Sequence, residues 1–126
     1  MINYNSWEEK YVWGNLTTIQ MENCIGTCNV EYSDEFPKWG YIYGLTVNPK
    51  HRRNNAGTEL IKIAEQDIIK HKLYRARLKV EKKKEWLVEW YKKLGYKIIE
   101  EDEDYNYDDE DYYLMEKSLM IYIEYN

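Results

Sequence analysis

The stretch Val47 to Leu60, VNPKHRRNNAGTEL, constrains this chain most: it ends a strand at a proline, crosses a basic polar loop and opens a helix. The segment before it, YIYGLTV (Tyr41 to Val47), is aromatic and β-branched, as a buried strand is. Pro49 stops that strand because it has no N–H to give to a ladder. Downstream, Leu60, Ile61, Ala64 and Ile68 recur at helical spacing, so a helix begins near Gly57 or Thr58. Its first turn leaves backbone N–H groups without intrahelical acceptors, and the helix dipole makes that end positive. With Arg52 and Arg53 alongside, the junction suits a phosphate or pyrophosphate, and Asn55 and Gly57 tolerate the tight backbone of such a cradle.

The segments that follow give the junction its context. ARLKV (Ala76 to Val80) reads as a second short strand. In WLVEWYKKLGY, residues Trp86, Leu87, Trp90, Tyr91 and Leu94 form one apolar helical face, and Gly95 closes the helix. KIIEE (Lys97 to Glu101) and YYLMEKSL supply two further strands. This order of parts resembles the GNAT superfamily of acetyl-CoA-dependent N-acetyltransferases. The resemblance spans roughly Cys24 to Leu119 and implies an α+β fold. In it, a central, mixed, mostly antiparallel sheet splays at a cofactor-binding V and carries two main helices.

The family's cofactor loop, Val-x-Pro-x-x-Arg-x-x-Gly-x-Gly/Ala, is matched by Val47, Pro49, Arg52 and Gly57, with Asn55 in place of the first glycine. Asparagine is the non-glycine residue that best accepts a left-handed backbone. By resemblance, backbone N–H groups from Arg53 through Asn54, Asn55, Ala56 and Gly57 to Thr58 hold the pyrophosphate of acetyl-CoA. The main chain of Leu45 and Val47 pairs with its pantetheine arm. The second family mark, an apolar residue, Tyr, polar residues, Leu, Gly and an aromatic, is matched by Trp90 to Tyr96. It makes Tyr91 the residue that returns a proton to the departing thiolate. Lys84 stands seven residues before Tyr91, where the family often has an asparagine that contacts pantetheine.

The chemistry also needs a base, because an amine acceptor arrives as an ammonium. Many family members place a glutamate where this chain has Tyr41, and the strand from Tyr41 to Val47 holds no carboxylate or histidine. Glu31 on the neighbouring strand, His51 in the loop and an acidic run acting through water remain the candidates.

That run, Glu100 to Asp111, carries nine acidic residues in twelve, within a chain of net charge -5. The rest of the molecule is mildly basic. In the family, the loop at this position borders the acceptor pocket. A negative field there attracts a cationic amine, on a basic protein or a small polyamine or aminoglycoside, and repels a nucleic-acid backbone.

At 126 residues the chain reads as a single domain, 1–126. It has no apolar run near the roughly 20 residues of a membrane helix and no signal-peptide pattern, so a cytoplasmic protein without a membrane partner is expected. Cys24 and Cys28 lie in what reads as one strand, too far apart to bridge and too few for a metal. NLTTIQMEN and CIGTCNVEY read as a strand pair, and no segment before Asn15 shows helical periodicity. Most of the opening strand-helix-helix region that roofs the acceptor site in the family is therefore missing. The apolar tail SLMIYIEYN is a candidate for pairing in a homodimer.

Two functions follow. The first is acetyl transfer from acetyl-CoA to a cationic primary amine, a protein lysine or N-terminus or a small polycation, by direct attack in a ternary complex. The alternative is a weak or inactive protein of the same fold that engages a basic partner through its acidic loop.

Overall fold

The computed structural model describes residues 2–99 and 109–120, without the side chains of Arg53 and Asn54. Among the described residues, seven strands form one sheet. They are β1 (Tyr4–Tyr11), β2 (Gly14–Met21), β3 (Gly26–Ser33), β4 (Gly40–Val47), β5 (Arg75–Glu81), β6 (Lys97–Ile99) and β7 (Tyr112–Ser118). The order is β1-β2-β3-β4-β5-β7-β6, and only β4 and β5 run parallel. The helices α1 (Ala56–Lys70) and α2 (Glu85–Lys93) complete the expected α+β fold. No helix among the described residues is long and apolar enough to cross a membrane.

Alternation along the strands sorts the two faces. Ile19, Cys28, Val30 and Ile42 point to one side and meet Leu60, Ile61, Ala64 and Ile68 of α1 together with Val88, Tyr91 and Tyr96 around α2. The helical stripe read from sequence is therefore the core face of α1. Cross-strand partners on the opposite face include Leu16, Glu31, Tyr41 and Arg77, and the core residues that meet the two described helices lie on the other face. At the end of α2, Gly95 takes φ 103° while its N–H bonds the Lys92 carbonyl and the Tyr96 N–H bonds the Tyr91 carbonyl. That pair of bonds ends the helix and turns the chain toward β6.

Two features of the N-terminal part differ from the sequence reading. Of the strand-helix-helix opening, the strand is present as β1, and a tight turn at Val12 and Trp13 joins it to β2 in place of helices. All eight residues of β1 are exposed, so no burial pattern marked it. Cys24 lies exposed in a 3-10 turn, Glu22–Cys24, and only Cys28 is a buried strand residue. Asn23 and Cys24 adopt left-handed backbones there, which breaks the segment before β3 starts at Gly26.

Strand β1 is tied to α1 through His71, the residue that caps the helix. Its Nε2 lies 2.6 Å from Glu8, its Nδ1 2.9 Å from the Asp67 carbonyl, and its ring stacks on Tyr32 at 3.9 Å. Burial alone would lower the imidazole pKa, but the Asp67 carbonyl and the carboxylates of Glu8 and Asp67 outweigh it and hold it above its usual value. A raised folded-state pKa means stability fully present below about 6.5 and lost as pH climbs through the raised value. The advantage of the native chain over His71→Gln should fall across that window by roughly 1 kcal/mol, a size typical of a charged histidine at a helix end. Urea unfolding at pH 6 and pH 8 reads this directly; an advantage equal at both would mean that folding leaves the imidazole pKa unshifted.

Candidate active site

Strands β4 and β5 pair at only two positions, Gly40 with Ala76 and Tyr41 with Arg77, and then separate. Strand β5 stays in register with β7 along its whole length, so the departure belongs to β4. Its cause is a bulge. Asn29 faces Tyr43 and Thr27 faces Thr46, which leaves Gly44 and Leu45 opposite Cys28, and Gly44 takes φ 65°. The extra residue bends β4 and turns Leu45 and Val47 toward the helices. The result is the expected V, with backbone from Ile42 onward released from β5.

On the helical side, this V opens into a cavity of about 430 Å³. Leu45, Val47, Arg52, Asn55, Gly57 and Thr58, all singled out from the sequence, line it together. Asn48 caps the short turn Pro49–Asn54 by accepting from the Lys50 N–H at 3.0 Å, and Asn55 has the left-handed φ of 59° that the sequence required of it. Glu59 is the first α1 residue to bond back, to the Asn55 carbonyl at 3.0 Å. The N–H groups of Ala56, Gly57 and Thr58 are thus the orphan donors of the first turn. Ala56, also expected at the pyrophosphate, is fully buried and does not line the cavity. Arg53 shares the turn by its backbone, as does Asn54.

The opposite wall was not foreseen: Trp86, Leu87, Glu89, Trp90 and Lys93 of α2 face the loop across the cavity. A Cβ added at Gly57 would come within 3.4 Å of the Trp90 ring and 3.7 Å of Val47, so the glycine keeps the crevice open between α1 and α2. Trp86 and Trp90 belong to the apolar face of α2 expected from the sequence, and that face turns partly to the cavity: Trp86 is 72% exposed. Lys84 does not line the cavity; it precedes α2 with its ammonium 3.8 Å from Glu81.

Tyr91 is buried against Trp90 and Tyr96, at ring separations of 4.9 Å and 5.8 Å, and lines neither cavity described here. Burial, with a smaller contribution from Cys28, pushes its phenol up to about 12. It therefore holds its proton at neutral pH. Cys28, the residue opposite the bulge, is likewise pushed up to about 12, first by burial and then by Asp67.

Glu31 and Tyr41 are direct cross-strand partners on the other face of the sheet. They line a second cavity, of about 280 Å³, with Phe36, Trp39, Arg77 and Lys79. Beside them Tyr43 stacks on Tyr41 at 5.8 Å, and its phenol is raised by burial and then by the charge and hydrogen bond of Glu31. Arg77, only 3% exposed, fixes the far wall: its Nε donates to Glu116 at 2.7 Å and its guanidinium lies 3.7 Å over Trp39. The alternation in RARLKV was the available signal, since Arg77 and Lys79 interleave with Ala76, Leu78 and Val80 of the core. His51 lies in the loop after β4 and lines neither cavity. Most of the acidic run, 100–108, lies outside the described residues; Asp109, Glu110 and Asp111 precede β7.

A carboxylate-bearing aromatic cavity and a basic helix-capped cavity thus open on the two faces of one sheet, at the place where its strands part. Comparison with known proteins agrees with the fold. The model of the acetyltransferase (GNAT) family matches residues 2–96, and no curated protein matches. Among similar solved structures is the PaiA N-acetyltransferase from Thermoplasma acidophilum in complex with coenzyme A, at 19% identity and a TM-score of 0.68 over 82% of this chain and 60% of that one. An acetyltransferase from Streptococcus agalactiae 2603 shows 24% identity and a TM-score of 0.67, over 84% and 67%. Ard1 from Thermoplasma volcanium shows 18% and 0.64, over 82% and 70%. Acetyl-CoA is the co-substrate of the family that the match identifies. With its splayed sheet, its capped loop and a family match over three quarters of its length, the chain belongs to the GNAT family of acetyltransferases.

Proposed function

We propose that the protein transfers an acetyl group from acetyl-CoA to a cationic primary amine bound on the open face of the sheet. The observation that carries this reading is the pairing of two unlike cavities across the V. The helical cavity fits coenzyme A: the first-turn N–H groups of Gly57 and Thr58 with Arg52 for the pyrophosphate, and the released main chain of Leu45 and Val47 for the arm. The bound cofactor supplies a thioester carbonyl activated toward an amine.

The residues of the chain do the rest. Phe36, Trp39 and Tyr41 give a cationic acceptor aromatic walls, and Glu31 gives it a carboxylate. Glu31 is the base of this reading, since among the described residues it is the candidate that shares a cavity with Tyr41. Tyr91, protonated at neutral pH, is the acid that returns a proton to the leaving sulfur. Holding amine and carbonyl in line accounts for most of the acceleration, about 7 to 11 kcal/mol for a well-oriented pair. The acceptor is a protein lysine or N-terminus, or a polyamine or aminoglycoside.

Steady-state acetylation of spermidine and of a lysine peptide tests the assignment. Glu31→Gln should lower kcat roughly 100-fold or more, with the acid limb of the pH profile removed. Tyr91→Phe should lower kcat about tenfold or more without weakening acetyl-CoA binding. Unchanged rates in both variants would reject these roles. Acetyl-CoA binding without turnover of any amine would leave the non-catalytic reading in their place.

A further inference from the structure

We propose that β1 is a homodimer interface at which two copies join their sheets edge to edge about a twofold axis at Trp7. Strand β1 is the outer strand of the sheet, eight residues long, exposed throughout and paired to β2 without a break in register. It contains neither proline nor bulge, two of the devices that guard free edges. Trp7 is 45% exposed at its middle.

Backbone phase and side-chain charge select one partner and one register. The Glu22 N–H bonds the Asn3 carbonyl, and Trp13 at the turn gives its carbonyl to Asp34, toward β3. Odd-numbered residues of β1 therefore bond β2, and the N–H and C=O groups of Tyr4, Ser6, Glu8 and Lys10 point outward. An antiparallel copy that uses those groups and keeps like faces together must pair positions with an even sum. Trp7 against Trp7 is the register that engages all four: Tyr4 bonds Lys10, and Ser6 bonds Glu8, twice over. Shifting it toward the C-terminus sets Glu8 against Glu8; shifting it the other way shortens the ladder. In the chosen register no like charges face one another, and the tryptophans meet at a non-hydrogen-bonded position, where opposed side chains approach most closely. Val12, fully exposed, comes alongside the Ile2 end of the other copy.

The twofold runs perpendicular to the sheet, so the open faces become one floor and Asn5 of each copy lies opposite Glu9 of the other. The contact is isologous and closed, and a strand-sized interface implies micromolar rather than nanomolar affinity.

Analytical ultracentrifugation of the full chain from micromolar to near-millimolar concentration tests the proposal. A concentration-dependent dimer is expected. Ser6→Pro removes an outward N–H while leaving the β2 ladder intact, and Trp7→Lys sets two cations together at the axis. Both should be monomeric, with native circular dichroism and undiminished acetyl-CoA binding. Hydrogen exchange supplies a readout without substitution: the amides of Ser6, Glu8 and Lys10 should gain protection as concentration rises. A monomer at every concentration, or a dimer that persists in folded Ser6→Pro and Trp7→Lys, would overturn it.

Discussion

Lys117→Met should lower the stability of the protein by about 3 to 5 kcal/mol, the usual cost of removing one partner from a buried ion pair. Lys117 on β7 donates to Glu65 of α1 at 3.1 Å, and the Tyr96 hydroxyl donates to the other carboxylate oxygen at 2.8 Å. Glu65 is 1% exposed, whereas Lys117 is 17% exposed. The two partners are therefore unequal. A methionine at 117 leaves the carboxylate with the phenol but without its cation. Glu65→Gln should cost less, because the lysine can carry its ammonium to water while the amide still accepts from Tyr96. The double variant Lys117→Met with Glu65→Gln should regain most of the loss. In thermal unfolding, Lys117→Met should lower Tm by roughly 10 °C or more. A Tm within a degree or two of the native value would show that the pair does not hold α1 against β7.

That triad also marks how far the sequence can be read. Glu65 stands four residues after Ile61, on the same stripe as Leu60, Ala64 and Ile68, so a charge on the core face of α1 was visible. Its partner was not, because Lys117 lies 52 residues away in another element. The junction between β4 and α1 was legible for the opposite reason. Proline, arginine, asparagine and glycine each impose a local backbone or charge requirement, and their spacing needs no tertiary information. Tyr91 was placed on the right helix, yet whether it lies in the core or in the crevice depends on how α2 rolls against the sheet. Trp86 and Trp90 show the same limit, since an apolar stripe lines a ligand crevice as readily as a core. Strand β1 was invisible to periodicity because neither of its faces is buried. The bulge at Gly44 was hidden as well: one extra residue in a strand shifts register without altering composition.

Replacing Gly57 with leucine should abolish acetyl-CoA binding while leaving the fold intact. The glycine has no unusual backbone angle to protect, and a bare Cβ would meet Trp90 at 3.4 Å, an ordinary contact. Gly57→Ala should therefore fold normally and bind with modest loss. The larger side chain has no such room. It must project into the crevice between the loop and α2, where it covers the N–H groups of the first turn and takes space the cofactor needs. Calorimetric titration with acetyl-CoA and desulfo-CoA should show at least a 100-fold loss for both, or about 2.7 kcal/mol. The equal loss matters, because the defect lies at the phosphates and not at the sulfur. Trp90→Ala in the Gly57→Leu background supplies the converse, since removing the indole opens space beside the new side chain and should restore part of the affinity. Unchanged binding by Gly57→Leu would mean that the cofactor does not enter this crevice, and the base and acid assigned at Glu31 and Tyr91 would fall with it.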